Sequence, residues 1–257
     1  LGVEVSGMVF GGLASAEASI SDTEKELGVV LIDIGGGTTD VAIFVEGALS
    51  YSSVIPIGAI NITKDLAAGL RISLESAEKV KILLGQALKI PALSEEEERS
   101  KSTKTDKTDE LDVSTLALPE ELRVLSRRTL VEGIIKPRLN EIFSMVALEL
   151  KKSGFGGMTP SGVVITGGCA MTVGAVEAAR RNLAMPVHIG IPKRTSGLID
   201  EITSSAFTTI VGLLLYGGRS GKNEGTAFFS GFGKIGDRVQ IKGIAGKIID
   251  LVKSFMP

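Results

Sequence analysis

A glycine-rich segment between two apolar runs is the part of this sequence best suited to chemistry. Residues 33–40 read Asp-Ile-Gly-Gly-Gly-Thr-Thr-Asp. Consecutive glycine amides can surround a phosphate because no side chain blocks its approach, and threonine hydroxyls add further donors. The predicted phosphate-binding residues are Gly35, Gly36, Gly37 and Thr38. Asp33 is predicted to hold Mg²⁺ through water molecules, because this ion prefers carboxylate, water and phosphate oxygens.

The same loop has simpler explanations that must be weighed against phosphate binding. A tight turn between two strands also uses glycine. No Gly-Lys-Ser/Thr follows the loop, which excludes a Walker loop, and the next predicted element is a strand, which excludes a dinucleotide-binding fingerprint. The acidic residue before the glycines and Thr38-Thr39-Asp40 after them favour phosphate binding over a plain turn.

Two further features are candidates for holding the rest of a nucleotide. Gly167 and Gly168 follow an apolar run at residues 163–166, and two glycines at a strand-to-helix junction let a flat base approach the backbone. Glu78 and Lys81 lie beside an apolar helical stripe and are candidates for contacting ribose hydroxyls and the adenine edge. Each feature alone also has an ordinary explanation, a glycine turn in one case and a surface ion pair in the other.

Hydrophobic periodicity predicts the elements that position these residues. Runs of β-branched residues predict buried strands over residues 28–33 and 163–166, and a hairpin over residues 41–57 that turns at Glu46-Gly47. Ser73 is predicted to cap a helix, and Pro137 is expected to interrupt another helix. The predicted helices begin near residues 62, 74, 126, 173 and 203, and a short strand covers residues 187–191.

Composition excludes several classes of function. The 257 residues carry a net charge of −2, so no overall field attracts nucleic acid, and we expect no nucleic-acid partner. One cysteine and one histidine exclude a disulfide framework and a histidine-rich metal site. Tryptophan is absent and aromatic residues make up 4%, which argues against stacking platforms. No signal peptide and no apolar run of about 18 residues is present, so we expect a soluble, cytoplasmic chain.

Two segments differ from the rest in composition. Residues 94–115 are rich in charge and are predicted to form a mobile surface loop. Near the C-terminus a glycine-rich linker precedes a stretch with helical apolar spacing, which is typical of an interfacial membrane helix. A helix docked on its own domain is the alternative. The predicted membrane-contacting residues are Ile244, Ile248, Leu251, Val252 and Phe255, with the basic Lys247 and Lys253.

The order of these features resembles the actin-like ATPase fold, and several segments resemble the FtsA family of bacterial cell-division proteins more closely. The longest is ELGVVLIDIGGGTTDVAIF at residues 26–44. The family usually shows Gly-Gly-Asn-His where this chain has Gly58-Ala59-Ile60-Asn61. The other matching segments are residues 54–58, 62–67, 76–81, 126–128, 135–138 and 211–217.

The resemblance implies a fold class and a domain organisation. The chain is expected to be an α/β protein with the second half only of an actin-like (ribonuclease-H-like) ATPase fold, N-terminally truncated, with an inserted smaller α/β subdomain. Residues 1–62 and 160–217 would form subdomain IIA, whose helix near 203–217 would pack on the missing first half. Residues 63–159 would form subdomain IIB, 218–240 a flexible linker, and 241–257 an amphipathic membrane-targeting helix.

The resemblance also implies a function. Similar proteins bind ATP with Mg²⁺, polymerise head to tail and tether the tubulin-like protein FtsZ to the inner face of the cytoplasmic membrane at the division site. They bind the FtsZ C-terminal tail on the small subdomain, contact anionic membrane through the terminal helix, and recruit later divisome proteins. The resemblance assigns the second phosphate loop to Gly35, Gly36, Gly37 and Thr38. It assigns the adenosine motif to Gly167 and Gly168, and the nucleoside clamp to Glu78 and Lys81.

The resemblance implies little or no ATP hydrolysis by this chain. The water-activating residue is expected in the missing half, so no catalytic residue is assigned, and at most weak ATPase activity is expected.

A type IV pilus assembly scaffold resembling PilM shares the phosphate and nucleoside motifs, but such proteins lack the amphipathic tail. A sugar kinase or chaperone ATPase of the same superfold would need a sugar-binding or peptide-binding segment, and none is present in the sequence.

Overall fold

The structure is a computed structural model that describes residues 2, 5, 7–87, 109–193 and 200–219. The predicted membrane helix and nearly all of the predicted linker lie outside the described residues, as does most of the predicted charged loop. The described residues up to Leu213 form one compact unit. The division of this unit into subdomains IIA and IIB stays a prediction.

Seven strands and seven helices are described. The strands are β1 (Val29–Ile34), β2 (Thr39–Val45), β3 (Ala48–Ile55), β4 (Glu110–Asp112), β5 (Val124–Ser126), β6 (Val163–Thr166) and β7 (Val187–Ile189). The helices are α1 (Gly11–Ser19), α2 (Asp22–Leu27), α3 (Ala59–Leu70), α4 (Leu74–Ala87), α5 (Lys136–Ser153), α6 (Ala175–Leu183) and α7 (residues 208–219). Among the described residues, no helix combines the length and apolar character needed to cross a membrane.

A five-stranded sheet in the order β3-β2-β1-β6-β7 forms the centre of the fold. β1, β2 and β3 are antiparallel neighbours, and β6 and β7 run parallel to β1. The predicted hairpin is confirmed, because Glu46 and Gly47 both have positive φ, as the tight turn between twisted strands requires. The predicted strands at residues 28–33 and 163–166 are therefore neighbours in space, although paired residues such as Val30 and Val163 are 133 positions apart.

Both faces of β1 are buried, which explains its unbroken apolar sequence. Successive side chains of a strand point to opposite faces. Val30, Ile32 and Ile34 join the large core under α3 to α6, whereas Val29 and Leu31 join a smaller core under α1. The end of β1 is thereby held between two helical layers, and the glycine loop begins there.

The predicted cap of α4 is confirmed. The Ser76 amide donates to the Ser73 hydroxyl over 3.1 Å. The Glu120 carboxylate accepts hydrogen bonds from the Ser73 amide and the Ser76 hydroxyl, and these bonds lower the pKa of Glu120 to about 2. A side chain outside the helix thus reinforces the start of α4.

The predicted surface loop at residues 94–115 is wrong for its last part. Residues 110–112 form β4, paired antiparallel with β5, and a 3₁₀ turn follows at Ser114–Leu116. Leu111 and Val113 are buried in the large core. Two apolar residues are a weak signal among many charged ones, and their burial depends on pairing with a strand 12 residues later.

The interruption expected at Pro137 is present as a widened helical turn. Residues Thr129–Ile135 form a π-helix, and Pro137 lies in the first turn of α5. Proline has no amide hydrogen and clashes with the carbonyl four residues before it, so the regular α-helical hydrogen-bond pattern is disrupted at this point. Beyond it, Arg138 forms a two-pronged ion pair with Asp65, which ties α5 to α3.

The helix predicted near residues 203–217 begins and ends later in the structure. Two 3₁₀ turns, Asp200–Thr203 and Ser205–Phe207, precede α7. α7 starts at residue 208 and runs to 219, so it includes Gly218 and Arg219, the first two residues of the linker predicted at 218–240. Glycine is tolerated in a helix at a cost of about 1 kcal/mol, so Gly217 and Gly218 do not end the helix.

Candidate functional site

Most of the residues predicted to act together line one cavity of about 460 Å³. Its walls come from the loop after β1, the first turn of α3, the face of α4 and the turn after β6. The predicted residues that line it are Gly35, Gly36, Glu78, Lys81 and Gly168. Residues from four separate parts of the chain therefore meet at one place.

The remaining predicted residues lie nearby without lining this cavity. Gly37 and Thr38 are exposed in the same glycine loop. Gly167 is buried directly before the exposed Gly168, and Asp33 is buried at the end of β1.

The glycine loop is held in place by the first turn of α3. The amides of Ala59 and Ile60 donate to the carbonyl oxygens of Gly35 and Gly36 over 2.9 and 2.8 Å. Helix-terminal amides have no partner within their own helix, so the loop satisfies two of them. Gly58 allows this approach, because a Cβ atom there would lie 2.5 Å from the Gly36 carbonyl oxygen.

The conformation of the turn does not require glycine at Gly36 or Gly37. A Cβ atom added at either residue would meet nothing within 4 Å, and neither residue has a positive φ. Within the described part of the chain, neither amide has a hydrogen-bond acceptor. The turn would accept larger residues here, whereas a ligand that approaches the two free amides closely would not.

Glu78 and Lys81 form a connected pair on α4. The Lys81 ammonium lies 2.7 Å from the Glu78 carboxylate and donates to the Thr63 hydroxyl, which itself donates to Glu78 over 2.6 Å. Burial acts to raise the pKa of Glu78, but the hydrogen bonds from Lys81 and Thr63 outweigh it, so this pKa is lowered. Lys81 is buried, so the pair is no ordinary exposed surface ion pair.

The two glycines after β6 have different structural roles. Gly167 has a φ of +84°, and its amide donates to the carbonyl oxygen of Ser205 over 3.2 Å. A Cβ atom at Gly167 would collide with the Asp33 carboxylate and the Ile34 carbonyl oxygen. Gly168 has open space around it and lines the cavity. The fold therefore requires glycine at the first position only.

Asp33 is surrounded by hydroxyl groups in the structure. Its Oδ2 atom accepts hydrogen bonds from Ser15 on α1 and Thr209 on α7, the latter over 2.8 Å. Asp40, its partner across the β1–β2 pair, is half-buried. Burial chiefly raises the pKa of Asp40, and repulsion from Asp33 adds to this. Among the described residues, no three potential metal-binding side chains converge, and the role of Asp33 toward Mg²⁺ stays a prediction.

Sequence reasoning missed several residues that line the cavity. Ile82 and Gln86 follow Glu78 at intervals of four residues and lie on the same face of α4. Ile60 and Met171 add apolar surface from α3 and from the turn after β6. The four-residue spacing from Glu78 was the available signal, but apolar helical positions are usually read as core.

A larger cavity of about 960 Å³ borders this one, and no prediction concerned it. Gly85, Met171 and Thr172 line both cavities. Its other walls are mostly apolar, with Lys136 and Arg181 among the charged residues.

Solved structures with the same fold define the class of this protein. The chain is similar to MreB5 of Spiroplasma citri bound to ADP, with a TM-score of 0.61 and 20% identity over 86% of this chain and 63% of that chain. The same protein bound to AMPPNP gives a TM-score of 0.59, over 84% of this chain and 60% of that chain. The protein therefore has an actin-like ATPase fold.

Sequence comparison identifies the family. The family model described as cell division protein FtsA matches residues 30–212. The cell division protein FtsA of Pseudomonas aeruginosa is 38% identical over 226 residues, and that of Escherichia coli K12 is 33% identical over 229 residues. These matches cover 84% and 86% of this chain but 48% and 51% of the relatives. The chain belongs to the FtsA family of cell-division proteins and spans about half the length of these relatives.

The pilus-scaffold alternative has only structural support. The PilM–PilN type IV pilus biogenesis complex matches with a TM-score of 0.54 and 16% identity, over 80% of this chain and 50% of that chain. Such a match shows a shared fold and nothing of function.

Proposed function

We propose that the 460 Å³ cavity binds ATP and that this chain provides the nucleotide-binding surface of an FtsA-type cell-division protein. The observation that carries the proposal is the convergence of the glycine loop, the Glu78–Lys81 pair and Gly168 on this one cavity. Nucleotide-bound MreB5, with the same fold, supports it. The family match supports the role in cell division.

Each part of the cavity has the chemistry for one part of ATP. The amides of Gly36 and Gly37, which have no acceptor among the described residues, would bind phosphate oxygens. The Glu78 carboxylate would accept hydrogen bonds from ribose hydroxyls, and the Lys81 ammonium beside it would donate to them. The base would lie against Gly168, where no side chain intervenes.

The residues that line the cavity include one carboxylate, Glu78, which is paired with Lys81, so a magnesium ion would be held mainly by the phosphates. Mg²⁺ keeps several water ligands and uses only one or two carboxylates beside phosphate oxygens. Asp33 would contact its water shell, and the ion would neutralise phosphate charge. We assign no catalytic residue and propose at most weak hydrolysis.

Titration of the full chain with a fluorescent ATP analogue in the presence of Mg²⁺ tests nucleotide binding. We expect saturable binding with a Kd on the order of 0.1 mM, displaced by both ATP and inorganic tripolyphosphate. Chelating Mg²⁺ is expected to weaken binding, because the phosphate charge is then uncompensated. Binding that does not saturate, or that unlabelled ATP fails to displace, would contradict the proposal.

The cellular role follows from the family as a proposal. The chain would act in an actin-like filament with further copies of itself, bind the FtsZ C-terminal tail on residues 63–159 and recruit later divisome proteins. Residues 241–257, outside the described part of the chain, would attach it to the cytoplasmic face of the membrane at the division site. The spacing of Ile244, Ile248 and Leu251 with the basic Lys247 and Lys253 supports this attachment.

Co-sedimentation with anionic vesicles tests the membrane contact. The full chain is expected to pellet with the vesicles and a chain truncated after Gly233 to stay in the supernatant, because only the former has the amphipathic segment. One segment of this kind is a marginal anchor, so pelleting should increase when copies associate. Equal pelleting of the two chains would show that the segment is no membrane anchor.

A further inference from the structure

One face of α4 continues along the cavity beyond the residues assigned so far. Ile82, Gly85 and Gln86 follow Glu78 at intervals of four, seven and eight residues, and all of them line the cavity. Residues with these spacings share one face of a helix. At 1.5 Å per residue, Gln86 lies about 12 Å along the helix axis from Glu78.

The cavity has two distinct ends. The glycine loop and the first turn of α3 form one end. At the other end, α4 approaches the turn after β6 so closely that a Cβ atom at Gly85 would lie 2.9 Å from the Met171 carbonyl oxygen. A nucleotide with its phosphates at Gly36 and its ribose at Glu78 and Lys81 therefore has its base near Gln86.

The chemistry at this second end suits a flat ring with a polar edge. Ile82 and Met171 are 50% and 36% exposed and offer apolar contact surface. Gln86 is exposed, and its amide has no hydrogen-bond partner among the described residues. A carboxamide presents a donor and an acceptor side by side, which matches the neighbouring amino group and ring nitrogen of adenine.

We propose that Gln86 recognises the edge of the adenine base and so determines base specificity, with Ile82 and Met171 against the ring. The proposal rests on the proposed nucleotide function and moves the base-edge role away from Glu78 and Lys81. Those two residues are joined to each other and to Thr63 through a hydrogen-bonded cluster nearer the glycine loop.

Displacement of a fluorescent ATP analogue by ATP, GTP and tripolyphosphate, on the full chain and its variants, tests this role. For Gln86→Leu, which keeps the side-chain size, we expect ATP to displace the analogue about tenfold less effectively, because the hydrogen bonds to the adenine edge are lost. Displacement by tripolyphosphate should not change. For Gln86→Glu, the ratio of GTP to ATP affinity should rise about fivefold, since a carboxylate accepts from two neighbouring N–H groups of guanine but repels the adenine ring nitrogen.

Controls separate this role from a structural one. Lys79→Leu, on an exposed position of α4 outside the cavity, should leave all three affinities unchanged. Thermal unfolding should show that both Gln86 variants fold. If Gln86→Leu weakens ATP, GTP and tripolyphosphate equally, or changes none of them, base recognition by Gln86 is refuted while phosphate binding stands. If the unaltered chain binds no probe, the nucleotide function fails and this proposal fails with it.

Discussion

Gly167→Ala is expected to lower the midpoint of thermal unfolding by about 10 °C, which corresponds to about 3–5 kcal/mol in a unit of this size. Two costs add. Gly167 has φ +84° and ψ 174°, a backbone region that only glycine adopts readily, at a cost of about 1–3 kcal/mol to other residues. The new methyl group would also lie 2.5 Å from the Ile34 carbonyl oxygen, and backbone must move to relieve that overlap.

Gly168→Ala is the matched control for this prediction. It is the same change one residue later, in a position with open space and no positive φ. Its midpoint should stay within about 2 °C of the unaltered chain, because a solvent-facing change of this kind costs little. Urea denaturation of both variants, followed by circular dichroism, gives the free energies of unfolding. Equal stability of the two variants would show that the backbone at Gly167 differs from the one described.

Gly36→Val is expected to weaken binding of the fluorescent ATP analogue at least tenfold without destabilising the fold. The valine side chain has room in the unliganded loop, where nothing lies within 4 Å. Under the proposed function a phosphate would approach the amides of Gly36 and Gly37 through that same space, and neither amide has an acceptor among the described residues. Loss of two hydrogen bonds to a charged group is worth about 3 kcal/mol or more, which corresponds to over 100-fold at full loss.

Gly157→Val provides the comparison for this binding loss. Gly157 also has open space around it but lies in a 3₁₀ turn that does not line the cavity. Its affinity for the analogue and its unfolding midpoint should both match those of the unaltered chain. If Gly36→Val binds the analogue as tightly as Gly157→Val does, the glycine loop is a turn and the phosphates bind elsewhere.

The Glu78–Lys81 pair shows how the fold prepares a charged site. Lys81 is buried and would be costly to place there alone, because an ammonium loses its hydration. The ammonium compensates this loss by donating hydrogen bonds to Glu78 on α4 and to Thr63 on α3. The ammonium therefore keeps a defined position in the cavity before any ligand binds.

The sequence by itself determined the local parts of this protein. The apolar runs at β1 and β6, the hairpin turn at Glu46-Gly47 and the cap at Ser73 were all predicted, and the structure contains each of them. Strand periodicity, positive φ in tight turns and helix capping depend on neighbouring residues, so they can be read from short segments. The family resemblance was likewise carried by contiguous segments, and the family match confirms it.

Other features depended on which distant segments pack together, and only the tertiary structure decided them. Asp33 accepts a hydrogen bond from a hydroxyl group 176 residues away, and the close contact of Gly167 with Asp33 and Ile34 depends on the parallel pairing of β1 with β6. Gln86 and Ile82 become part of the cavity only because α4 lies against the turn after β6. Burial of apolar faces drives this packing, but a short segment does not show which distant segment will cover its apolar face. Residue types and spacing therefore indicated which residues are suited to bind a nucleotide. The packing of helices on the sheet determined which residues share one cavity.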